Sequence, residues 1–490
     1  MKGSIARKME DEFYVFGILL SVLVRWLVSL YPYSGAGKFS MYGDYEAQRH
    51  WMEITYNLPV AEWYQNTTDN DLMYWGLDYP PLTAFHSWIN GYISHQINPA
   101  WVALKTSRGH ESYEHKLFMR YTVLLCDLLI YIPAVVAFWN AVHPKLQSRD
   151  KAVALTTMLL YPGLYLIDHG HFQYNCVSIG FTLWAIVAIQ CRRELVASLF
   201  FCLALNYKQM ELYHAFPIFF YMLGQAWHGK ENSIGKVFKL GIIVIFTFGI
   251  CWLPFYPNFS QILHRLFPFA RGIFEDKVAN FWCSIHIFIK FRNFVSVSNL
   301  AALSGILTLM STIPSSLHLL AHPNFETLKI SLVCIKYFIE FCKHFLVVFP
   351  LQFPCSREKY SVGSYACLLT PPRKTCLHMF PLLLKDGLVI PFFTLFVLYL
   401  VGCYNAYVSQ SIQTSLSSKK WYSRLLPVTA VLSILGALVL CISSLVIKPP
   451  ERYPDLYPLH LVKIIMEAYY VIQIWLFQHY DYSNRGPAKK

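Results

Sequence analysis

Charged side chains are scarce in this chain. Asp, Glu, Lys and Arg make up 14% of its 490 residues, against about a quarter in soluble domains. A surface so poor in charge does not face water over most of its area. The 13 cysteines lie scattered, mostly inside apolar runs, so no disulfide framework is implied and free buried thiols are expected. No internal repeat is evident, which weighs against the inverted-repeat architecture of many transporters. No cleavable leader is apparent either, and the first apolar run is expected to remain as a signal-anchor span.

Long apolar runs stand in place of charge. Phe13 to Leu30, Leu117 to Val142, Leu240 to Phe255, Pro391 to Val408, Val428 to Ile447 and Ile464 to Phe477 are the clearest. A helix needs roughly 20 residues to cross the hydrocarbon core, and these runs lack the alternation of barrel strands. The expectation is an all-α polytopic membrane protein, one membrane domain over residues 1–490, with about 12 spans and a range of roughly 11 to 14. The net charge of +13 does not point to nucleic acid, because the basic residues cluster between spans. Lys2, Arg7 and Lys8, then Lys145, Arg149 and Lys151, then Arg192 and Arg193, then Lys230 and Lys236, and finally Arg485, Lys489 and Lys490 mark cytosolic ends. The positive-inside rule then places both termini in the cytosol.

The longest polar interruption, residues 32–115, follows the first span and falls on the opposite, luminal side. It is rich in Trp, Tyr, Asp and Pro, which predicts a folded interfacial loop rather than a linker. Pro59, Pro80 and Pro81 divide it into short helices. The sequon Asn66-Thr67-Thr68 lies within it, and a second, Asn258-Phe259-Ser260, opens a later luminal piece. Asn66 is the expected glycosylation site, while Asn258 lies too near the membrane.

Four strings in these luminal pieces carry chemistry. Asp44, just past the first span, is a candidate general base for an acceptor hydroxyl. By spacing alone an N-cap of the helical stretch Glu46 to Tyr56 is the better reading. Arg49, His50 and Glu53 share that helix, so ordinary ion pairs are expected beside any substrate contact from Glu46 and Arg49. Trp75, Asp78 and Tyr79 precede Pro80 and Pro81 and offer flat faces and a carboxylate to a sugar, against the commoner reading of an aromatic belt. Asp168, His169, His171, Gln173, Tyr174 and Asn175 form the densest polar cluster, suited to hydrogen bonds with a hydroxylated substrate. A capped turn explains only part of it, and no third ligand pattern supports a metal. Lys208 and Gln209, with Glu211 and His214, interrupt an apolar stretch; a Lys208–Glu211 pair weighs equally with a substrate role. Arg265, Arg271 and Lys277 run against the positive-inside trend. They are candidate phosphate contacts, with snorkelling residues paired to Glu275 and Asp276 as the alternative.

The strings GDYEAQRHWMEIT (Gly43 to Thr55), WGLDYPPLTA (Trp75 to Ala84), DHGHFQYN (Asp168 to Asn175) and RLFPFARGIFEDKVANFWC (Arg265 to Cys283) resemble the endoplasmic-reticulum glucosyltransferases that use dolichyl-phosphate glucose. The resemblance covers roughly Met1 to Leu332 and Phe380 onward, and is nearest to the members that add the first α-1,3-glucose to the dolichyl-pyrophosphate oligosaccharide. It implies a GT-C fold, inversion at the glucose carbon, and Asp44 as the base that deprotonates a mannose 3-hydroxyl. It implies dolichyl-phosphate glucose and the dolichyl-pyrophosphate oligosaccharide as substrates, no cofactor, and a metal-independent reaction. Residence in the reticulum rests on the same resemblance. The second-glucose transferases of that family, a lipid or solute transporter, and a catalytically dead member remain alternatives.

One segment departs from the family. Residues 333–379 lack its His-Glu-Lys motif. Codons can be written for Cys355 to Gly363 that, shifted by one base, read Val-His-Glu-Lys-Ser-Ile-Leu-Leu. Val333-Cys334 back-translates to a splice-donor sequence, and Val347 to Gln352 to a pyrimidine-rich acceptor. The segment therefore reads as retained intron followed by out-of-frame sequence until about Phe380, with a divergent loop as the alternative.

Overall fold

A backbone without water must pair its own N–H and C=O groups, and the helix does this within one segment. In the computed structural model every regular element among the described residues is helical. The structure describes residues 2–39, 42–144, 148–229, 233–256, 258–267, 289–290, 293–329, 331–332, 380, 382–403 and short pieces of 436–447. The atypical segment 333–379, Arg271, Lys277, Glu275 and Asp276 lie outside them. The chain divides into two compact units, one of Met1–Arg271, Thr312–Ile335 and Leu382–Phe392, the other of Gly272–Ser311, Lys336–Pro381 and Phe393–Lys490. The side-chain groups around Asp44, Arg49 and His171 belong to the first.

Four described helices are long and apolar enough to cross a membrane: Glu12–Ser29, Tyr113–Val142, Ser233–Phe255 and Val297–Ala321. Asn175–Gln190, Glu194–Tyr207 and Val389–Gly402 are shorter apolar helices. We label α1 Lys2–Ser29, α2 Asp44–Asn57, α3 Pro81–Ile97, α4 Tyr113–Cys126, α5 Ile132–Val142, α6 Ser148–Leu159, α7 Asn175–Gln190, α8 Glu194–Tyr207, α9 Leu212–Trp227, α10 Ser233–Trp252 and α11 Phe259–Leu266. The helix Ser233–Trp252 buries only Thr247 and Cys251, while Phe238, Ile245, Phe246 and Ile250 stand exposed. An apolar surface of that extent belongs against lipid.

Two local features position the site. Between α4 and α5 the helix widens to a π turn over Asp127–Tyr131. Pro133 explains it: proline lacks an N–H and its ring collides with the carbonyl four residues back. Gly180 on α7 lies against this turn, where a Cβ would meet Ile130 Cγ2 at 2.7 Å. A second widened turn, Leu166–Phe172, leads into α7 and carries the polar string predicted to lie at the membrane boundary.

The loop that follows α1 is folded, as its aromatics suggest. Helices begin after Pro59 and at Pro81, where proline's fixed φ suits a first turn. Trp51, Ile54, Trp63, Tyr64, Leu77 and Ala84 form a core with Phe255, Ile262 and Leu266. Gly91 of α3 sits against α2, since a Cβ there would lie 2.6 Å from Met52 O.

The pairs on α2 are buried, not on the surface. Arg49 is 0% exposed. Its guanidinium forks onto Glu46 (Nε–Oε2 2.8 Å, Nη2–Oε1 2.7 Å) and also reaches Glu53 Oε2 at 2.7 Å and Ser107 Oγ at 2.5 Å. The Lys105 and Gly109 amides donate to Glu53 and Glu46. Burial alone raises the Glu53 carboxyl, but His50 and Arg49 hold it down at about 2. Removing one partner of such a network strands the others in a dry interior. Arg49→Met is expected to destabilise the loop by about 3–5 kcal/mol, read as a lower thermal midpoint in detergent and faster proteolysis within 32–115. An unchanged midpoint would remove Arg49 from the role of organising the loop.

Candidate functional site

Asp44 is the first residue of α2, and Gly43 occupies the cap position without a side-chain cap bond. The N-cap expectation is therefore not what the structure shows. The Asp44 carboxylate turns away to the widened turn of Leu166–Phe172. Its Oδ2 accepts from Gln173 Nε2 at 2.6 Å and lies 3.1 Å from His171 Nε2. Both contacts fall on one oxygen, and 36% of the side chain remains open. The main chain is fixed as well: Asp44 N donates to Ser34 Oγ at 3.0 Å, and Ser34 N donates to the His171 carbonyl at 3.1 Å.

His171 has a second partner. Its Nδ1 lies 2.6 Å from Asp386 Oδ2. Asp386 stands 215 positions away in the chain and escaped the reading of the sequence. Its context, Lys385-Asp386-Gly387, carries only a turn signal, and Gly387 has a φ of +74°. The turn docks on the first loop through Lys38 Nζ and the Lys385 carbonyl at 2.5 Å. Carboxylates accept and do not donate, so an imidazole between two of them carries both protons. Burial lowers His171, but Asp44 and Asp386 outweigh it and raise it to about 9. Asp44 responds in the opposite sense. Its low-dielectric surroundings push a carboxyl up, yet the His171 charge, the hydrogen bonds from His171 and Gln173, and the Lys208 charge hold it below the ordinary range.

Gln173 joins this group to Lys208. Its Oε1 accepts from Lys208 Nζ at 3.2 Å and from Asn175 Nδ2 at 3.0 Å. Lys208 also bonds Asn175 Oδ1 and stands 5.1 Å from the centre of the Tyr79 ring, a cation–π distance. The Lys208–Glu211 ion pair, one of two equal readings, is not formed among the described residues: Glu211 Oε2 accepts from Thr182 and lies against His214 Nδ1, at 2.8 Å each. Burial lowers the Lys208 ammonium below its usual range.

The other predicted residues divide into those beside this group and those that build it. Asp168 accepts from Asn175 Nδ2 at 2.7 Å and from the Cys176 amide at 2.8 Å, capping α7 as a turn reading anticipates. Tyr174 exchanges a hydrogen bond with Thr122 at 2.7 Å. His169 faces the opposite way from His171, with Nε2 2.6 Å from Asp127 Oδ2, which in turn takes Arg25 Nε at 2.9 Å. The two histidines thus do not converge. Gln209 Nε2 donates to the Asp78 carbonyl at 3.1 Å, placing the Asp78–Tyr79 bend over Lys208. Trp75, at φ +50°, offers its carbonyl to Trp51 Nε1 at 2.8 Å. Glu46 and Arg49 lie inside the loop, away from solvent.

Arg265 spends its donors on the main chain, with Nη2 2.6 Å from Gly76 O and Nε 3.2 Å from Leu77 O. It clamps the loop that carries Tyr79. Asn66 is exposed, and its Oδ1 accepts from the Leu72 amide at 3.1 Å. One Asp-x-Asp string does occur in the loop, Asp69-Asn70-Asp71. Asp69 pairs with Lys105 Nζ at 2.7 Å and Asp71 Oδ1 accepts from Met73 N at 2.9 Å, so both serve the turn. Among the described residues no cluster of three His, Cys, Asp or Glu side chains is placed to hold a metal ion.

Residues 21–477 match the family described as "ALG6, ALG8 glycosyltransferase family". A Gallus gallus protein named dolichyl pyrophosphate Man9GlcNAc2 alpha-1,3-glucosyltransferase is 44% identical over 504 residues, covering 96% of this chain and 98% of that one. Proteins of the same name from Pongo abelii and Mus musculus are 42% and 39% identical, covering 90% and 96% of this chain and 91% and 98% of theirs.

The raised His171 has a consequence for stability. A group whose folded value exceeds its ordinary 6.5 stabilises fully below pH 6.5 and loses that contribution as pH rises through about 9. The gap in thermal midpoint between the parent chain and His171→Gln is expected to be constant at low pH and to narrow across this window. A gap flat from pH 6 to pH 10 would show that the imidazole is not held as a cation.

Proposed function

The chain belongs to the ALG6, ALG8 glycosyltransferase family, and from that premise we propose that it transfers glucose from dolichyl-phosphate glucose to a mannose of dolichyl pyrophosphate Man9GlcNAc2, forming an α-1,3 bond with inversion. The observation that carries the mechanism is the Asp44 carboxylate, tied at Oδ2 by His171 and Gln173 yet partly open. The oxygen that receives neither bond is the one available to an incoming hydroxyl. The acceptor name printed for the relatives contains no glucose, which favours the first glucosylation over the second. Solute transport has no support in a family of transferases.

In this scheme the mannose 3-oxygen attacks the anomeric carbon of glucose in line. The bond from that carbon to the dolichyl phosphate oxygen breaks, and the phosphate leaves with the electron pair. The hydroxyl proton passes to Asp44. The departing phosphate bears its own charge, so no acid need protonate it and no metal is required. A fixed cation stabilises the charge that grows on it. Lys208, buried beside Tyr79 and one amide away from Asp44, is a cation within this group. Arg271 and Lys277 remain proposed phosphate contacts outside the described residues. The site is luminal in an endoplasmic-reticulum GT-C protein of about 12 spans with cytosolic termini. We also retain the reading of 333–379 as unspliced and frame-shifted sequence.

Transfer of glucose to a lipid-linked high-mannose acceptor tests the reaction and the base together. The chain, a version with 333–379 restored to frame, and Asp44→Asn in each are compared. Asp44→Asn is expected to lose about 10²–10⁴-fold. Activity only in the restored version assigns the defect to that segment. Full activity without the Asp44 carboxylate sinks the base, and no transfer by either parent sinks the reaction. For topology, glycosidase treatment is expected to shift the mobility of the chain but not of Asn66→Gln; no shift in either would contradict a luminal loop.

A further inference from the structure

Asp386 belongs to no motif of the family strings and touches neither the loop's aromatic core nor the proposed base. Among the described residues its ion-pair partner is His171 Nδ1, at 2.6 Å, and its side chain is 4% exposed. Resting on the reading of Asp44 as the base, we propose that Asp386 is a positioning residue of the transfer, acting through His171 to keep an Nε2–H aimed at Asp44 Oδ2 and so the other oxygen of Asp44 turned to the acceptor.

An imidazole offers two nitrogens, and in this site each faces a carboxylate oxygen, at 2.6 Å and 3.1 Å. With Asp386 ionised, Nδ1 must carry a proton. The Nε2 contact to Asp44 is then attractive only if Nε2 also carries one. The charged groups around His171 are consistent with that state. Asp44 lies on α2 and Asp386 on the turn before Val389. Arg120 of α4 donates Nη2 to the Gly170 carbonyl at 2.8 Å and feels the Asp386 charge. Lys208, after α8, acts on Asp44. Across Gly170, His169 is engaged by Asp127 and Arg25. A neutral amide at 386 no longer demands the cation. The imidazole then loses its second proton at lower pH, and the neutral ring is no longer fixed as a donor to Asp44, since an amide can accept from Nδ1–H or donate to a bare Nδ1; in the Nδ1–H tautomer Nε2 meets Asp44 Oδ2 as acceptor against acceptor. Asp44 swings away or takes up a proton, and in both cases ceases to be a base.

The device predicts an alkaline limb in the pH–rate profile near the value of about 9 held by His171, below which the cation aims Asp44. In the full-length parent that transfers glucose, Asp386→Asn is expected to move this limb down by roughly one pH unit or more. It is expected to lower kcat near neutral pH by roughly ten-fold or more while the donor KM stays put. Asp386→Glu restores the charge and should recover the limb in part. His171→Gln keeps an amide donor toward Asp44 but cannot titrate, so its limb near pH 9 should disappear. This third variant decides the matter if Asp386→Asn does not fold. A limb unmoved in Asp386→Asn, a loss uniform across pH, or a limb retained in His171→Gln each overturns the proposal. Asp44→Asn separates the two levels. If it is inactive at every pH and Asp386→Asn behaves as the parent, the positioning role alone fails. If Asp44→Asn is active, or no parent transfers glucose, the base reading fails and the positioning role fails with it.

Discussion

Several buried cations in this protein survive because carboxylates meet them. Among the described residues of the first unit three are held so: Arg25 on Asp127, Arg49 between Glu46 and Glu53, and His171 between Asp44 and Asp386. Leaving water costs each charge several kcal/mol, which only close, hydrogen-bonded partners offset. The arrangement ties distant pieces together. Arg25 links α1 to the widened turn after α4, Arg49 closes the loop after α1 on itself, and His171 joins that loop to a turn far along the chain. The site is thus assembled from segments whose docking depends on charge compensation rather than on apolar area alone.

Among the described residues two buried cations are met by no carboxylate: Arg120, which donates to the Pro32 and Gly170 carbonyls, and Lys208. The hydrogen-bond partners of Lys208 are two amide oxygens and its neighbour is an aromatic face. Neutral partners hold an ammonium without cancelling its charge. Such a cation retains attraction for an anion, which a carboxylate in contact would have consumed. The contrast with Arg49 is instructive, since both were candidates for substrate contact. Arg49 is saturated by two glutamates and a hydroxyl inside the loop, and its role is to fold it.

Much of this was legible before any coordinates. Apolar runs named the helical membrane class, and the polar strings around Asp44 and His171 pointed to the chemistry at one boundary. The i, i+4 spacing on α2 announced the Arg49–Glu53 pair, though not the Glu46 fork, and spacing carries no information about burial; both pairs turned out to be interior. Asp44 illustrates the limit of local rules. Position and residue type favour a cap, yet a partner more than a hundred residues away claims the carboxylate. Asp386 was invisible for the same reason: its only long-range signal is the imidazole it meets. Membrane periodicity offered no help there, because the turn before Val389 has none.

The group nevertheless has an internal direction that follows from its members. An amide has one donor side and one acceptor side. Gln173 faces an ammonium and an amide N–H on one side and a carboxylate on the other, so its orientation is dictated by its neighbours rather than chosen. Asn175 is oriented in the same way, with Oδ1 toward Lys208 and Nδ2 toward Asp168 and Gln173. The chain from Lys208 through Gln173 to Asp44 therefore has a fixed polarity. A positive charge at the end of α8 is communicated to the first residue of α2 without direct contact. That separation leaves the cation and the carboxylate free to act on different parts of one reacting pair, the charge on a leaving anion and the proton on an incoming hydroxyl.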